Sequence, residues 1–225
     1  MSQARYYTAA ETRELDRLTI EKYHIPGFEL MQRAGLAAWR ALQTKWPEAR
    51  CVIVFCGTGN NGGDGFIIGT LAKKAGLQVK IYLLDATASI KNDALTAYEM
   101  ALANKVPFFA AAEFLGNNDP LSDPRHTVIV DALLGTGLSG PVREPYSNLI
   151  SRINQSNLPV LAVDIPSGLS SDTGEVLGKA IRARLTVTFI GIKKGLLANA
   201  GPEYCGELVF NNLDIPEAVY RELEG

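Results

Sequence analysis

Six consecutive apolar residues, Cys51-Val52-Ile53-Val54-Phe55-Cys56, end abruptly in Gly57-Thr58-Gly59-Asn60-Asn61-Gly62-Gly63-Asp64-Gly65. A strand with one face in water alternates apolar and polar residues. An unbroken apolar run means burial on both faces, as in a parallel sheet covered by helices on each side. The pattern recurs: Thr127-Val128-Ile129-Val130 leads into Asp131-Ala132-Leu133-Leu134-Gly135-Thr136-Gly137-Leu138-Ser139-Gly140-Pro141, and Val160-Leu161-Ala162-Val163 leads into Asp164-Ile165-Pro166-Ser167-Gly168. Residues 79–84, 106–109, 185–190 and 208–210 read as further strands, and 66–75, 93–104 and 146–153 as helices. Residues 116–125 are polar and turn-rich, which predicts a loop. Strands alternating with helical segments predict an α/β fold with a mostly parallel central sheet.

Two helices are expected before the sheet. Thr8-Ala9-Ala10-Glu11 has the form of a capping box, in which the Thr8 hydroxyl and the Glu11 carboxylate each satisfy a free amide of the first turn. Leu15 and Leu18 give that helix an apolar stripe, and Ile25-Pro26-Gly27 breaks it. A second helix is expected over 28–42. With no repeat or linker-like stretch, the 225 residues read as one domain spanning 1–225, with 1–50 as a helical N-terminal extension packed on it.

Composition narrows the function classes. Lys plus Arg number 22 and Asp plus Glu 24, for a net charge of −2, which removes the bulk drive for nonspecific nucleic-acid binding. No apolar run approaches a membrane span, and charges throughout the first 25 residues leave no apolar core for a secretory signal. Three cysteines make no disulfide framework, so a reduced, cytoplasmic protein is expected. Two histidines are too few for a three-His zinc site.

In doubly wound sheets, ligands bind at the carboxyl ends of the strands. Gly57, Gly59 and Gly62 form G-x-G-x-x-G between a strand and a helix, and amides at such a helix start suit a phosphorylated ligand. Asp85, after the next strand, could serve as a ribose-binding acid. Asp64 argues against an ordinary nicotinamide dehydrogenase, since it puts a carboxylate near the usual pyrophosphate position. Asp131 and Asp164 at strand ends, with Asn61 and Ser167, supply oxygen donors that suit a hard cation rather than zinc or copper. The plain alternative for either Asp is a cap on local backbone amides. Cys56 reads as a buried strand residue rather than a nucleophile.

The block Cys56-Gly57-Thr58-Gly59-Asn60-Asn61-Gly62-Gly63-Asp64-Gly65 resembles the signature of the YjeF N-terminal family, the NAD(P)H-hydrate epimerases. Leu30-Met31-Gln32-Arg33-Ala34-Gly35, Val130-Asp131-Ala132-Leu133-Leu134-Gly135-Thr136-Gly137, Asp164-Ile165-Pro166-Ser167-Gly168 and Lys194-Gly195-Leu196 follow the family's pattern in order. The resemblance implies a three-layer Rossmann-like α/β/α fold, often homodimeric, and an isomerase that interconverts the R and S epimers at C6 of hydrated NADH or NADPH. A dehydratase using ADP or ATP, often fused C-terminally, then restores the cofactor. It further implies that substrate is held by Asn60, Asn61, Gly62, Gly63 and Asp64, by Gly135, Thr136, Gly137, Leu138, Ser139, Gly140 and Pro141, and by Asp164. It implies one potassium ion per subunit on Asn61, Asp131 and Ser167. One carboxylate among neutral oxygens suits a monovalent ion better than magnesium. C6 is a hemiaminal carbon, whose configuration can be lost by reversible departure of the hydroxyl or by reversible ring opening; both routes need a proton delivered and returned, and Asp164 is the expected acid–base residue. The competing expectations are a non-catalytic ligand- or RNA-binding scaffold of the same fold and an NAD(P)-dependent oxidoreductase.

Overall fold

A computed structural model describes residues 6–116 and 123–224. In chain order the elements are β1 (Tyr6–Tyr7), α1 (Ala9–Glu21), α2 (Gly27–Lys45), β2 (Cys51–Cys56), α3 (Asn60–Lys74), β3 (Gln78–Leu83), α4 (Asn92–Ala103), β4 (Phe108–Ala110), α5 (Ala111–Gly116), β5 (Thr127–Ala132), α6 (Tyr146–Gln155), β6 (Val160–Val163), β7 (Leu185–Phe189), β8 (Ile192–Lys193), α7 (Gly201–Cys205), β9 (Glu207–Asn211) and α8 (Glu217–Glu224). Seven strands form one sheet in the order β4-β3-β2-β5-β6-β7-β9, every pair parallel. The expected α/β class and the parallel sheet are therefore observed.

The sheet is buried on both faces, as its unbroken apolar runs require. Along β2, Val52, Val54 and Cys56 pack with α1, α2, α3, α4 and α8, while Ile53 and Phe55 pack with α5 and α6. The period of two along the strand thus divides one apolar run between two helical layers.

Several boundaries differ from expectation. Helix α3 begins at Asn60, not at 66, so the glycine-rich stretch is the first turns of a helix rather than a loop. Glycine is a poor helix former, and packing overrides that preference here. A Cβ at Gly62 would lie 1.9 Å from the Gly57 carbonyl, and one at Gly65 would lie 2.6 Å from Cys56 Sγ. Only a chain without side chains at these two points can lie so close on the sheet. Strand β4 is displaced from 106–109 because Pro107 has no N–H; only its carbonyl joins the sheet, accepting from Ile81 N at 3.0 Å. Within the expected loop 116–125, Gly116 closes α5 and Pro124–His126 forms a 3₁₀ turn; residues 117–122 lie outside the described residues.

The N-terminal capping box forms as expected, with Thr8 N donating to Glu11 Oε2 at 2.6 Å and Glu11 N to Thr8 Oγ1 at 3.2 Å. Strand β1, which no sequence signal indicated, pairs in parallel with β8. Ala9 N donates to Asp172 Oδ1 at 2.6 Å, and Lys194 bonds Glu11 at 3.2 Å. At the other end of α1, Lys22 and Tyr23 reach Glu222 of α8 at 2.7 and 2.6 Å. These contacts fix α1 across the carboxyl ends of the central strands. No described helix is long and apolar enough to cross a membrane.

Candidate active site

From β2 the chain runs outward through β3 to β4, then returns to build β5, β6, β7 and β9 on the other side. The carboxyl ends of β2 and β5 therefore face connections that leave in opposite directions, the place where such sheets open a crevice. A cavity of about 680 Å³ lies there, within the range of a small-molecule or cofactor site. Of the expected substrate residues, Asn60, Asn61, Asp64, Gly135, Thr136, Gly137, Leu138, Ser139 and Asp164 line it. Gly62 and Gly63 do not: they are buried in α3 behind the wall. Gly140 and Pro141 are exposed and also lie outside the lining.

The expected ion ligands meet beside this cavity. Asp131 is the penultimate residue of β5, not its last, and is fully buried. It accepts from Ser167 N at 2.8 Å, from Ser167 Oγ at 2.6 Å and from Leu133 N at 3.3 Å. Leu134 N donates to Ser167 Oγ at 2.9 Å, and Asn61 Nδ2 donates to the Leu134 carbonyl at 3.2 Å. The three residues thus converge on one turn of backbone, and Asp131 does cap local amides. Burial pushes the Asp131 carboxyl up to about 6, with the bonds from Ser167 and Leu133 pulling the other way. These donors are all neutral, so the buried carboxylate has dipoles but no counter-charge among them. The surrounding oxygens are hard ligands, and a cation of low charge fits the set. Among the described residues, no group of three or more His, Cys, Asp or Glu could hold a metal.

Asp164 has a different environment. It follows β6 with φ +66, a left-handed conformation in which Asp is among the better tolerated side-chain-bearing residues. Its N–H still pairs with Val187 O at 2.7 Å, so the turn throws the side chain into the cavity without freeing the backbone. The buried Lys193 of β8 makes an ion pair with Asp164 Oδ1, and Lys193 Nζ also donates to Thr188 Oγ1 at 3.1 Å and Phe189 O at 2.9 Å. Two more carboxyls face this pair. Asp64, one turn inside α3, is held well above the usual carboxylate range, first by burial and then by the charges of Asp164 and Asp16. Asp16 of α1 is raised to about 6 by burial, with Lys193 opposing the shift and Asp164 adding to it.

Sequence reasoning missed Asp16 and Lys193. Asp16 is one of eight charged residues among the first 25, and Lys193 precedes a second lysine, so nothing in the adjacent sequence marks either as a site residue. A signal existed for Asp16: Thr12, Asp16 and Ile20 share one helical face, and all three line the cavity. Asp85, the expected ribose-binding acid, accepts from the Tyr146 hydroxyl and does not line the cavity, whereas Tyr146 does. Burial and the Asp85 charge raise the Tyr146 phenol. Cys56 is buried and its thiol is pushed up by burial, as befits a packing residue.

The model of the YjeF-related protein N-terminus family matches residues 27–195. A Coxiella burnetii protein named a bifunctional NAD(P)H-hydrate repair enzyme is 45% identical over 96% of this chain, which covers 42% of that protein's length. A Legionella pneumophila protein named NAD(P)H-hydrate epimerase is 35% identical over 97% of the chain and 81% of its own length. A Limosilactobacillus fermentum protein of the same name is 37% identical over 90% of the chain and 93% of its own length. The crystal structure of the yeast protein YNL200c shares the fold, with a TM-score of 0.79 at 20% identity over 98% of this chain and 94% of that one.

Proposed function

This chain belongs to the YjeF-related protein N-terminus family, and on that premise we propose that it is an isomerase, an epimerase that interconverts the R and S forms of hydrated NADH and NADPH at C6 in cofactor repair. The relatives that it matches over most of their length carry that name. The observation that carries the reading into chemistry is the Lys193–Asp164 ion pair beside the cavity at the strand switch point. The amides at the start of α3, around Gly59 and Asn60, suit the phosphates of a dinucleotide, and the loop from Gly135 to Ser139 forms the facing wall.

C6 of the hydrated ring bears a hydroxyl and the ring nitrogen. When the hydroxyl leaves as water, the nitrogen lone pair forms a C=N double bond, and water can return to either face. The step needs a proton given and a proton taken, which a placed carboxyl accelerates by about 10² to 10⁴. Asp164 is our candidate for that proton transfer. Asn61, Asp131 and Ser167 are our candidates for holding one potassium ion, which would lower the cost of the buried Asp131 charge and brace the two loops. We further propose a homodimer in the cytoplasm whose S product passes to an ADP- or ATP-dependent dehydratase. The test is to incubate the chain with the pure R epimer of hydrated NADPH and follow the S epimer by chromatography. Appearance of S no faster than without protein refutes the epimerase reading, and full activity in Asp164→Asn refutes the role of Asp164.

A further inference from the structure

Epimerisation by loss and return of water uses two proton positions, a donor for the departing hydroxyl and an acceptor for the incoming water. Asp164 is salt-bridged to a buried ammonium, which suits an acceptor and leaves the donor unassigned. Resting on the epimerase reading, we propose that Asp16 is a second catalytic residue, the proton donor that complements Asp164. It enters the same cavity from α1, whereas Asp164 enters from the end of β6.

Three observations support this assignment. The position of α1 is fixed by contacts along its length, through the β1–β8 pairing, the Ala9–Asp172 and Lys194–Glu11 bonds at its start and the Lys22 and Tyr23 bonds to Glu222 at its end. β8 carries Lys193, so the same pairing that docks α1 sets the ion pair. The charges facing Asp16 are Lys193 and Asp164, with Asp64 of α3 beyond them; Arg13 of its own helix and Asp93 of α4 also stand in the wall. Three carboxyls around one buried ammonium, in a site that water reaches only in part, cannot all ionise cheaply. Asp164 holds the ammonium, and Asp16, partly buried on the cavity wall, is placed to keep and release a proton.

In the R-to-S direction, Asp16 gives its proton to the C6 hydroxyl. The C6–O bond breaks, its electron pair leaves with water, and the ring nitrogen lone pair closes the C=N bond. Water then adds to the opposite face, the C=N pair returns to nitrogen, and the proton lost by that water goes to Asp164. Nothing is oxidised or reduced, and the S-to-R direction reverses the two roles. Proton exchange with solvent resets the pair.

The experiment compares wild type, Asp16→Asn and Asp16→Ala for conversion of R-NADPHX, with NADP⁺ affinity and thermal midpoint measured on each. Asp16→Asn should lose about 10² to 10⁴ in kcat while its KM and NADP⁺ affinity stay within about threefold. Added formate should restore at least about tenfold of the rate lost in Asp16→Ala, since a small acid can occupy the vacated space. Wild-type kcat should fall as the pH rises through about 6, and both variants should lack that limb. Asp16→Asn with kcat within about threefold of wild type, or with an unchanged pH profile, would overturn the assignment. Should both neutral variants fail to fold, Asp16→Glu decides: a displaced pH limb supports the role and an unchanged one overturns it. A wild type that converts neither epimer sinks the functional reading itself and this role with it, whereas an active wild type matched by Asp16→Asn sinks only the role of Asp16.

Discussion

Asp131, near the end of β5, and Asp164, just beyond β6, belong to neighbouring strands of one sheet, and their surroundings have opposite physics. Asp131 is fully buried and is held by the amides of Leu133 and Ser167 and the Ser167 hydroxyl. Every one of these partners is neutral and local to the two loops. Asp164 is paired with the ammonium of Lys193, which comes from a different strand, and it faces the carboxyls of Asp16 and Asp64. A carboxylate in a net of local dipoles ties backbone together, and its proton is coupled to no charged neighbour among those partners. A carboxylate in a group of coupled charges shares a small number of protons among several sites, and a change at one shifts the others. The first region therefore braces the loops; the second is suited to chemistry.

The contrast can be broken most forcefully at Lys193. Lys193→Met leaves Asp164 without its counter-charge. Breaking a buried pair costs about 3 kcal/mol or more, or roughly 6–12 °C in thermal midpoint for a chain of this size, and turnover should drop at least about 100-fold. Adding Asp164→Asn to that variant should recover most of the midpoint and none of the rate. Recovery of both would mean that the pair is structural only.

Next in size is Ser167→Ala in the dipolar region. It removes the hydroxyl bond to Asp131 and the acceptor for Leu134 N, at about 1–3 kcal/mol for groups buried without partners. Substrate binding should weaken while kcat stays within about threefold, because the loops loosen and the proton machinery remains. A large fall in kcat at unchanged KM, measured in the epimer assay, would place Ser167 in the chemistry and erase the distinction.

A pH series sharpens it further. Asp16 is raised from its ordinary value of 3.8 to about 6 in the folded chain. Between these values the native state binds more protons than the unfolded state. The stabilisation is complete below about 4 and is lost as the pH rises through 6. Discounted for partial solvent access, this amounts to about 1–2 kcal/mol, or roughly 2–8 °C. Asp131 titrates in the same window, so Asp16→Asn should lower the slope of that part of the midpoint-against-pH curve without abolishing it. A curve with the same slope in the variant would assign the effect to other groups.

The smallest expected effect is that of potassium. If Asn61, Asp131 and Ser167 hold the ion, potassium at tenfold its dissociation constant should stabilise wild type by about 1.4 kcal/mol over an otherwise identical buffer with a large organic cation. Asp131→Asn should not respond. Equal midpoints for wild type in both buffers would leave the dipolar region as a purely hydrogen-bonded brace.

Much of this arrangement was legible in the residues. The run from Cys51 to Cys56 has the pattern of a strand buried on both faces and is one, and Thr8 with Glu11 forms the expected capping box. Asn61, Asp131 and Ser167 stand out in the sequence as oxygen donors because the ends of parallel strands share one edge of the sheet, and the family resemblance singles out the same three residues. The start of α3 was misplaced because glycine's poor propensity is a local signal, and the close contacts at Gly62 and Gly65 that override it involve the sheet and the preceding loop.

The layered α/β class, the three loops and the carboxylates at their strand ends therefore follow from the order of amino acids alone. Each depends on patterns within a few residues, through side-chain period and local propensity. Only the tertiary structure decided that Asp16 and Lys193 belong to the same site. Strand β1 pairs with β8, and this contact carries α1 over the cavity and buries Lys193 beside Asp164. No periodicity marks a two-residue strand or distinguishes a buried lysine from an exposed one. Both are set by the shape of the space left when distant parts of the chain pack together.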